Sequence, residues 1–133
     1  MNDDSSHRWK WNRLETRAAG FDPETVAKAD LLVTVGAPWT NAHRCNNRVR
    51  RIADLLVEEL SATGAQGLVV GAPADSDALT QGSPSAGYSL PSRELVADCL
   101  ETGHRAHHGN AMVVISGCDK SGAAALMPLA RCN

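Results

Sequence analysis

The sequence has no excess of charge of either sign: 13 Lys and Arg stand against 15 Asp and Glu, a formal net charge of −2, with a pI near 6.2. That balance removes the electrostatic case for nucleic acid or an anionic membrane surface, which are bound through basic patches, and neither partner is expected. No apolar run approaches the roughly 18 residues that a membrane span needs. Met1 to Ser6 lacks the basic and apolar regions of a signal peptide, so the expected compartment is the cytoplasm. No pair of cysteines has the C-x-x-C spacing of a closed zinc site. Cys45, Cys99, Cys118 and Cys132 are far apart, and in a reducing compartment they point to metal or catalytic use rather than to a disulfide framework. There is no internal repeat and no low-complexity tract.

What is present suits one domain: 133 residues, 43% of them hydrophobic, can bury a modest core. Residues 1–19 read as a mobile tail, polar over 1–12 except for Trp9 and Trp11, and residues 20–133 as the folded unit. Asp22-Pro23-Glu24 pairs an N-cap residue with proline at the first helical position and predicts a short helix through Val26 and Ala29. Leu31 to Val35 predicts a first strand, followed by a loop from Gly36 to Arg44. Val49, Ile52, Leu56 and Leu60 recur at helical spacing up to Gly64, and Gly67 to Val70 predicts a second strand. The stretch from Gly71 to Gly87, rich in Gly, Pro, Ser, Ala and Asp, predicts a loop. After Pro91, Leu95, Val96, Cys99 and Leu100 give a helix an apolar face, and Arg93 and Glu94 are placed to pair locally. Ala111 to Ser116 predicts a third strand, and a last helix is expected from about Gly122 to Arg131. Strand and helix in alternation predict an α/β fold, a parallel sheet with flanking helices.

The most informative stretch is Gly117-Cys118-Asp119-Lys120, which sets a thiol, a carboxylate and an amine directly after the third strand. Open α/β sheets bind ligands beyond the carboxyl ends of their strands. Thiolates select soft metal centres and carboxylates hard cations, so two metal chemistries can meet there. Cys45 follows strand one and Asp77 follows strand two, which brings both to the same edge. His104, His107 and His108 share a helix face and invite a metal reading; a cationic helix end beside Arg105 and Gly109 is the better account.

Tyr88-Ser89-Leu90-Pro91-Ser92-Arg93-Glu94-Leu95-Val96-Ala97-Asp98, followed by Gly117-Cys118-Asp119-Lys120, resembles the dihydroxy-acid dehydratase and 6-phosphogluconate dehydratase family. Ser76-Asp77, Trp39 before Cys45-Asn46, and Ala130-Arg131-Cys132-Asn133 extend the resemblance from about Gly20 to Asn133. It implies an iron–sulfur, magnesium-dependent hydro-lyase with Cys45 and Cys118 as ligands of a [2Fe-2S] or [4Fe-4S] cluster. Asp77, Asp119 and Lys120 are then the magnesium ligands, with Lys120 the catalytic group, carbamylated in the family after burial keeps its amine neutral. The implied substrate is a small 2,3-dihydroxy acid, dehydrated to a 2-oxo acid in branched-chain amino-acid biosynthesis; a sugar-acid dehydratase acting on an aldonate or phosphogluconate, or an inactive fragment or binding module, are the alternatives. Family enzymes are several times longer, so the chain resembles an amino-terminal piece, expected to be inactive alone and to form a homo-oligomer or pair with a carboxyl-terminal region. It departs from the family pattern at Ala37-Pro38, Arg48, Pro84 and Ser121-Gly122-Ala123, and at Ala78, where the family's glycine leads one to expect backbone strain.

Overall fold

Asp22 caps its helix as the residues around it predict: the carboxylate accepts the backbone N–H of Thr25 at 3.0 Å, and α2 runs Pro23–Lys28. The computed structural model describes residues 13–133, so the mobility expected of residues 1–12 lies outside the described residues. Within the remainder of the expected tail, Arg13–Ala18 forms a helix, α1, which buries Thr16.

The central strand, β1 (Leu32–Pro38), is buried over nearly all its length. It pairs in parallel with β2 (Gln66–Ala72) on one side and β3 (Ala111–Val114) on the other, giving the order β2-β1-β3. The register sets Val35 opposite both Val69 and Val113. Strand alternation divides the core between two faces. Val33, Val35 and Ala37 point to α3 (Val49–Ala62), where Val49 and Ala53 complete a buried cluster with Leu56, Val57 and Leu60 against it. On the other face Gly36 approaches Leu100 of α5 (Ser92–Ala106), which packs with Val96 and with Ala124 of α6 (Asp119–Cys132).

Several boundaries differ from the sequence expectation. β1 continues through Ala37 and Pro38, because a proline can close a strand whose last N–H is dispensable. β3 stops at Val114, and Ile115 and Ser116 belong to the turn that follows. On α3 Ala53 is buried along with Val49, while Ile52 is 47% exposed: a small side chain lets the helix lie close to the sheet. Leu95 of α5 likewise faces outward. The expected 71–87 loop contains a one-turn helix, α4 (Asp77–Thr80), and a 3-10 turn over Pro84–Tyr88. Ala78 sits inside α4, and the one non-glycine residue with positive φ among those described is His108, at 55°; the strain expected at Ala78 is absent because a helical turn replaces the glycine-dependent bend. His104 is turned inward, its Nδ1 2.7 Å from Oγ1 of the buried Thr34, instead of serving only as a surface cation at the helix end.

Candidate functional site at the carboxyl edge of the sheet

The order β2-β1-β3 places a topological switch point between β1 and β3, where the chain leaves neighbouring strands toward opposite faces and opens a crevice. The loop after β1 folds back over that crevice. Asn46, fully buried, donates from Nδ2 to the carbonyl of Pro38 at 2.8 Å, and its backbone N–H reaches the His43 carbonyl at 2.8 Å. His43 is itself buried, and its Nδ1 and the Oδ1 of Asn46 have no hydrogen-bond partner among the described residues. This fold-back leaves Cys45 exposed at the rim.

From β3 the turn through Gly117 comes up against the same loop. A Cβ at Gly117 would overlap the carbonyl oxygen of Cys45 and stand 2.7 Å from Asn46 Oδ1. Cys118 then caps α6: its backbone N–H donates to Ser121 Oγ at 3.0 Å, and its sulfur lies 3.1 Å from the same hydroxyl. The cap moves the start of α6 forward from the expected Gly122 to Asp119, so Asp119 and Lys120 occupy the first turn.

Lys120 crosses to the segment after β2. Its Nζ donates to Asp75 Oδ2 and Asp77 Oδ1, each at 2.8 Å, and to the Asp75 carbonyl at 3.2 Å, while its side chain is 8% exposed. Ser89 adds a hydroxyl at 3.3 Å from Nζ and donates to Asp77. Burial pulls Lys120 downward, but the hydrogen bonds to and the charges of Asp75 and Asp77 outweigh it and hold the ammonium above the ordinary lysine range. Asp75 is pushed up by burial and pulled further down by Lys120 and Ser92. Hydrogen bonds from Lys120 and then Ser89 keep Asp77 below the usual carboxylate range, with the charges of Lys120 and His43 in the same direction. Lys120 is therefore a paired ammonium, not the neutral amine that burial alone leads one to expect.

An open cleft of about 240 Å³ joins these parts, lined by His43, Asp75, Arg93, Cys118, Lys120 and Ser121 among others. The structure thus brings Cys118, Lys120 and Asp77 together and sets Cys45 beside Gly117 at their margin. Asp119 is exposed, and its side chain makes no hydrogen bond or ion pair among the described residues. Asp75 and His43 were not evident from the sequence. The signal for Asp75 is the Asp75-Ser76-Asp77 alternation, which in extended chain projects both carboxylates to one side. His43 has no such signal, since only the fold-back of its loop buries it.

The fold is an open parallel α/β domain whose thiols, carboxylates and buried lysine gather at the carboxyl ends of the strands, the place where such sheets bind ligands. Its family is equally defined: residues 31–133 match the model for the dihydroxy-acid/6-phosphogluconate dehydratase N-terminal region, and the chain belongs to that family. A dihydroxy-acid dehydratase of Tremblaya princeps is 34% identical over 122 residues, covering 92% of this chain and 22% of the relative. One from Ralstonia nicotianae is 38% identical, with coverage of 92% and 22%. Dihydroxy-acid dehydratase 3 of Bordetella bronchiseptica is 40% identical over 89 residues, covering 67% of the chain and 16% of that relative. The chain spans about a fifth of the length of the curated relatives it matches.

The residues as arranged do not fit either ion that the family resemblance implies. An ammonium is no metal ligand, and Lys120 Nζ stands between the carboxylates where a cation would be held. Two cysteines lie at this edge, fewer than the three or four thiolates a cluster takes. Among the described residues no three His, Cys, Asp or Glu side chains are grouped closely enough to hold a metal ion. No helix among them is long and apolar enough to cross a membrane.

Proposed function

We propose that the chain supplies the amino-terminal part of a hydro-lyase that removes water from a 2,3-dihydroxy acid to give a 2-oxo acid. The reading is supported above all by one observation: in a chain of this family, the turn that carries Cys118 and Lys120 packs directly on the loop that carries Cys45. Loss of the proton at carbon 2 and of the hydroxyl at carbon 3 leaves an enol, which relaxes to the oxo acid. Arg93, on the cleft wall, gives the substrate carboxylate a counter-charge. In the same proposal Cys45 and Cys118 would be thiolate ligands of an iron–sulfur cluster, and a magnesium ion would be held by Asp77, Asp119 and the oxygens of a carbamate on Lys120, which requires that Lys120 first leave its ion pair. Both ion sites are completed by residues of the remaining part of such an enzyme, acting as a cytoplasmic homo-oligomer in branched-chain amino-acid biosynthesis.

A second reading, a domain that keeps the fold without the chemistry, draws on the closed Lys120 ion pair. Turnover separates the two. The chain is mixed with the separately produced remainder of the Ralstonia nicotianae relative, reconstituted with iron, sulfide and magnesium, and assayed for 2-oxo acid from a 2,3-dihydroxy acid and from an aldonate. The proposal expects no product from the chain alone and product from the pair on the dihydroxy acid. Removing one catalytic group costs about 100- to 10,000-fold in rate, so turnover by the chain alone contradicts it, as does a stable pair without activity.

A further inference from the structure

The Lys120 ammonium has two carboxylates within salt-bridge distance: Asp75 Oδ2 and Asp77 Oδ1 each lie 2.8 Å from Nζ. The Asp75 carbonyl and Ser89 hydroxyl complete its shell at 3.2 and 3.3 Å. These four acceptors saturate a group with three N–H donors. Without the ammonium, two carboxylates converging on one point would repel each other and attract a cation. A divalent ion demands about six oxygen ligands at close range and gives up its waters reluctantly. It would have to displace a covalently tethered cation from a buried position before it gained the first of those ligands. Tethering matters here, because the lysine is always present at its site whereas a free ion pays for its own immobilisation.

We propose that the Lys120 ammonium is the resident cation of the Asp75–Asp77 carboxylate pair and excludes a divalent ion from it until Lys120 is drawn away from Asp75. Asp75 is then a positioning residue: it holds the Lys120 ammonium in its ion pair at the cleft wall and keeps the site closed in the chain by itself. The inference rests on the reading above only for the location of the site, and it adds a step to that reading, since assembly of a complete enzyme must break the Lys120–Asp75 contact.

Two measurements on the full chain test it. In the first, the wild-type protein is labelled with an amine-modifying reagent, with and without magnesium chloride, and each lysine is quantified by mass spectrometry. Lys120 should react about tenfold more slowly than the exposed Lys28, and magnesium should leave that ratio unchanged. In the second, manganese binding is followed by electron paramagnetic resonance for wild type, Lys120→Met and the Lys120→Met, Asp75→Asn double variant. Lys120→Met should bind manganese about tenfold more tightly than wild type, and the double variant should lose that gain. Acceleration of Lys120 labelling by magnesium overturns the proposal. So does a Lys120→Met variant of native circular dichroism that binds manganese no better than wild type. Neither outcome decides the dehydratase reading, which stands or falls on turnover by the reconstituted pair.

Discussion

Gly117 packs against the main chain of Cys45, and the contact leaves no room for a Cβ between the turn after β3 and the loop after β1. It joins two segments more than seventy residues apart in sequence, one carrying Cys45 and the other leading into Cys118.

Gly117→Ala should therefore destabilise the chain. Replacing glycine by alanine gains about 0.4–1 kcal/mol by restricting the unfolded chain, but forcing atoms into a packed site costs about 1–3 kcal/mol. The overlap is with backbone, which cannot rotate away, so the cost wins. Urea denaturation should show a lower midpoint with an unchanged slope; an equal or higher midpoint would mean that the two loops are not in contact.

The ion triad gives stability a defined pH window. Asp75 and Asp77 have folded values below the 3.8 of an ordinary carboxylate, so their contribution is present above 3.8 and is lost as pH falls through the depressed values. Lys120 lies above 10.5, so its contribution is present below 10.5 and is lost as pH rises through the raised value. Asp77 is half exposed, which screens its share, and the Asp75→Ala change should cost about 1–2 kcal/mol at neutral pH. Guanidinium unfolding from pH 2 to 7 should show the wild-type advantage over Asp75→Ala shrinking toward the acid end. An advantage that is constant with pH would remove the ion pair from the account.

His104 predicts a second, separate pH dependence. Burial, and then the neighbouring Arg105 charge, depress its value below 6.5. The unfolded chain therefore takes up the proton more readily, and stability from this group is present above 6.5 and is lost as pH falls through the depressed value. Proton NMR of the imidazole should give a midpoint below 6.5 in the native chain. A midpoint at or above 6.5 would mean that His104 is not held against Thr34.

Much of the fold was legible because it depends on local signals. The apolar runs at Leu31 and Ala111 located β1 and β3, Asp22 with Pro23 marked α2, and Gly64, at φ 86°, stands just after α3 as a helix-ending glycine should. What escaped depends on partners distant in sequence. Ile52 and Ala53 are adjacent, and only the closeness of α3 to the sheet decides that the smaller one is buried. The start of α6 at Asp119 follows from the hydroxyl of Ser121 reaching back to Cys118, a cap formed by a residue pair not usually read as one. Lys120 could be assigned to the site from its motif, but its charge state could not, because Asp75 lies 45 residues earlier. The same limit hid His104, whose partner Thr34 is 70 residues away.

The central claim is that loops following separate strands meet in one site at the carboxyl edge of the sheet. The most direct measurement is the separation of Cys45 and Cys118, read with a short bifunctional maleimide in a Cys99→Ser, Cys132→Ser background and mapped by mass spectrometry. The account predicts an intrachain Cys45–Cys118 cross-link in dilute native protein that disappears in denaturant. Modification of both thiols without that cross-link, or cross-links only between chains, would contradict it.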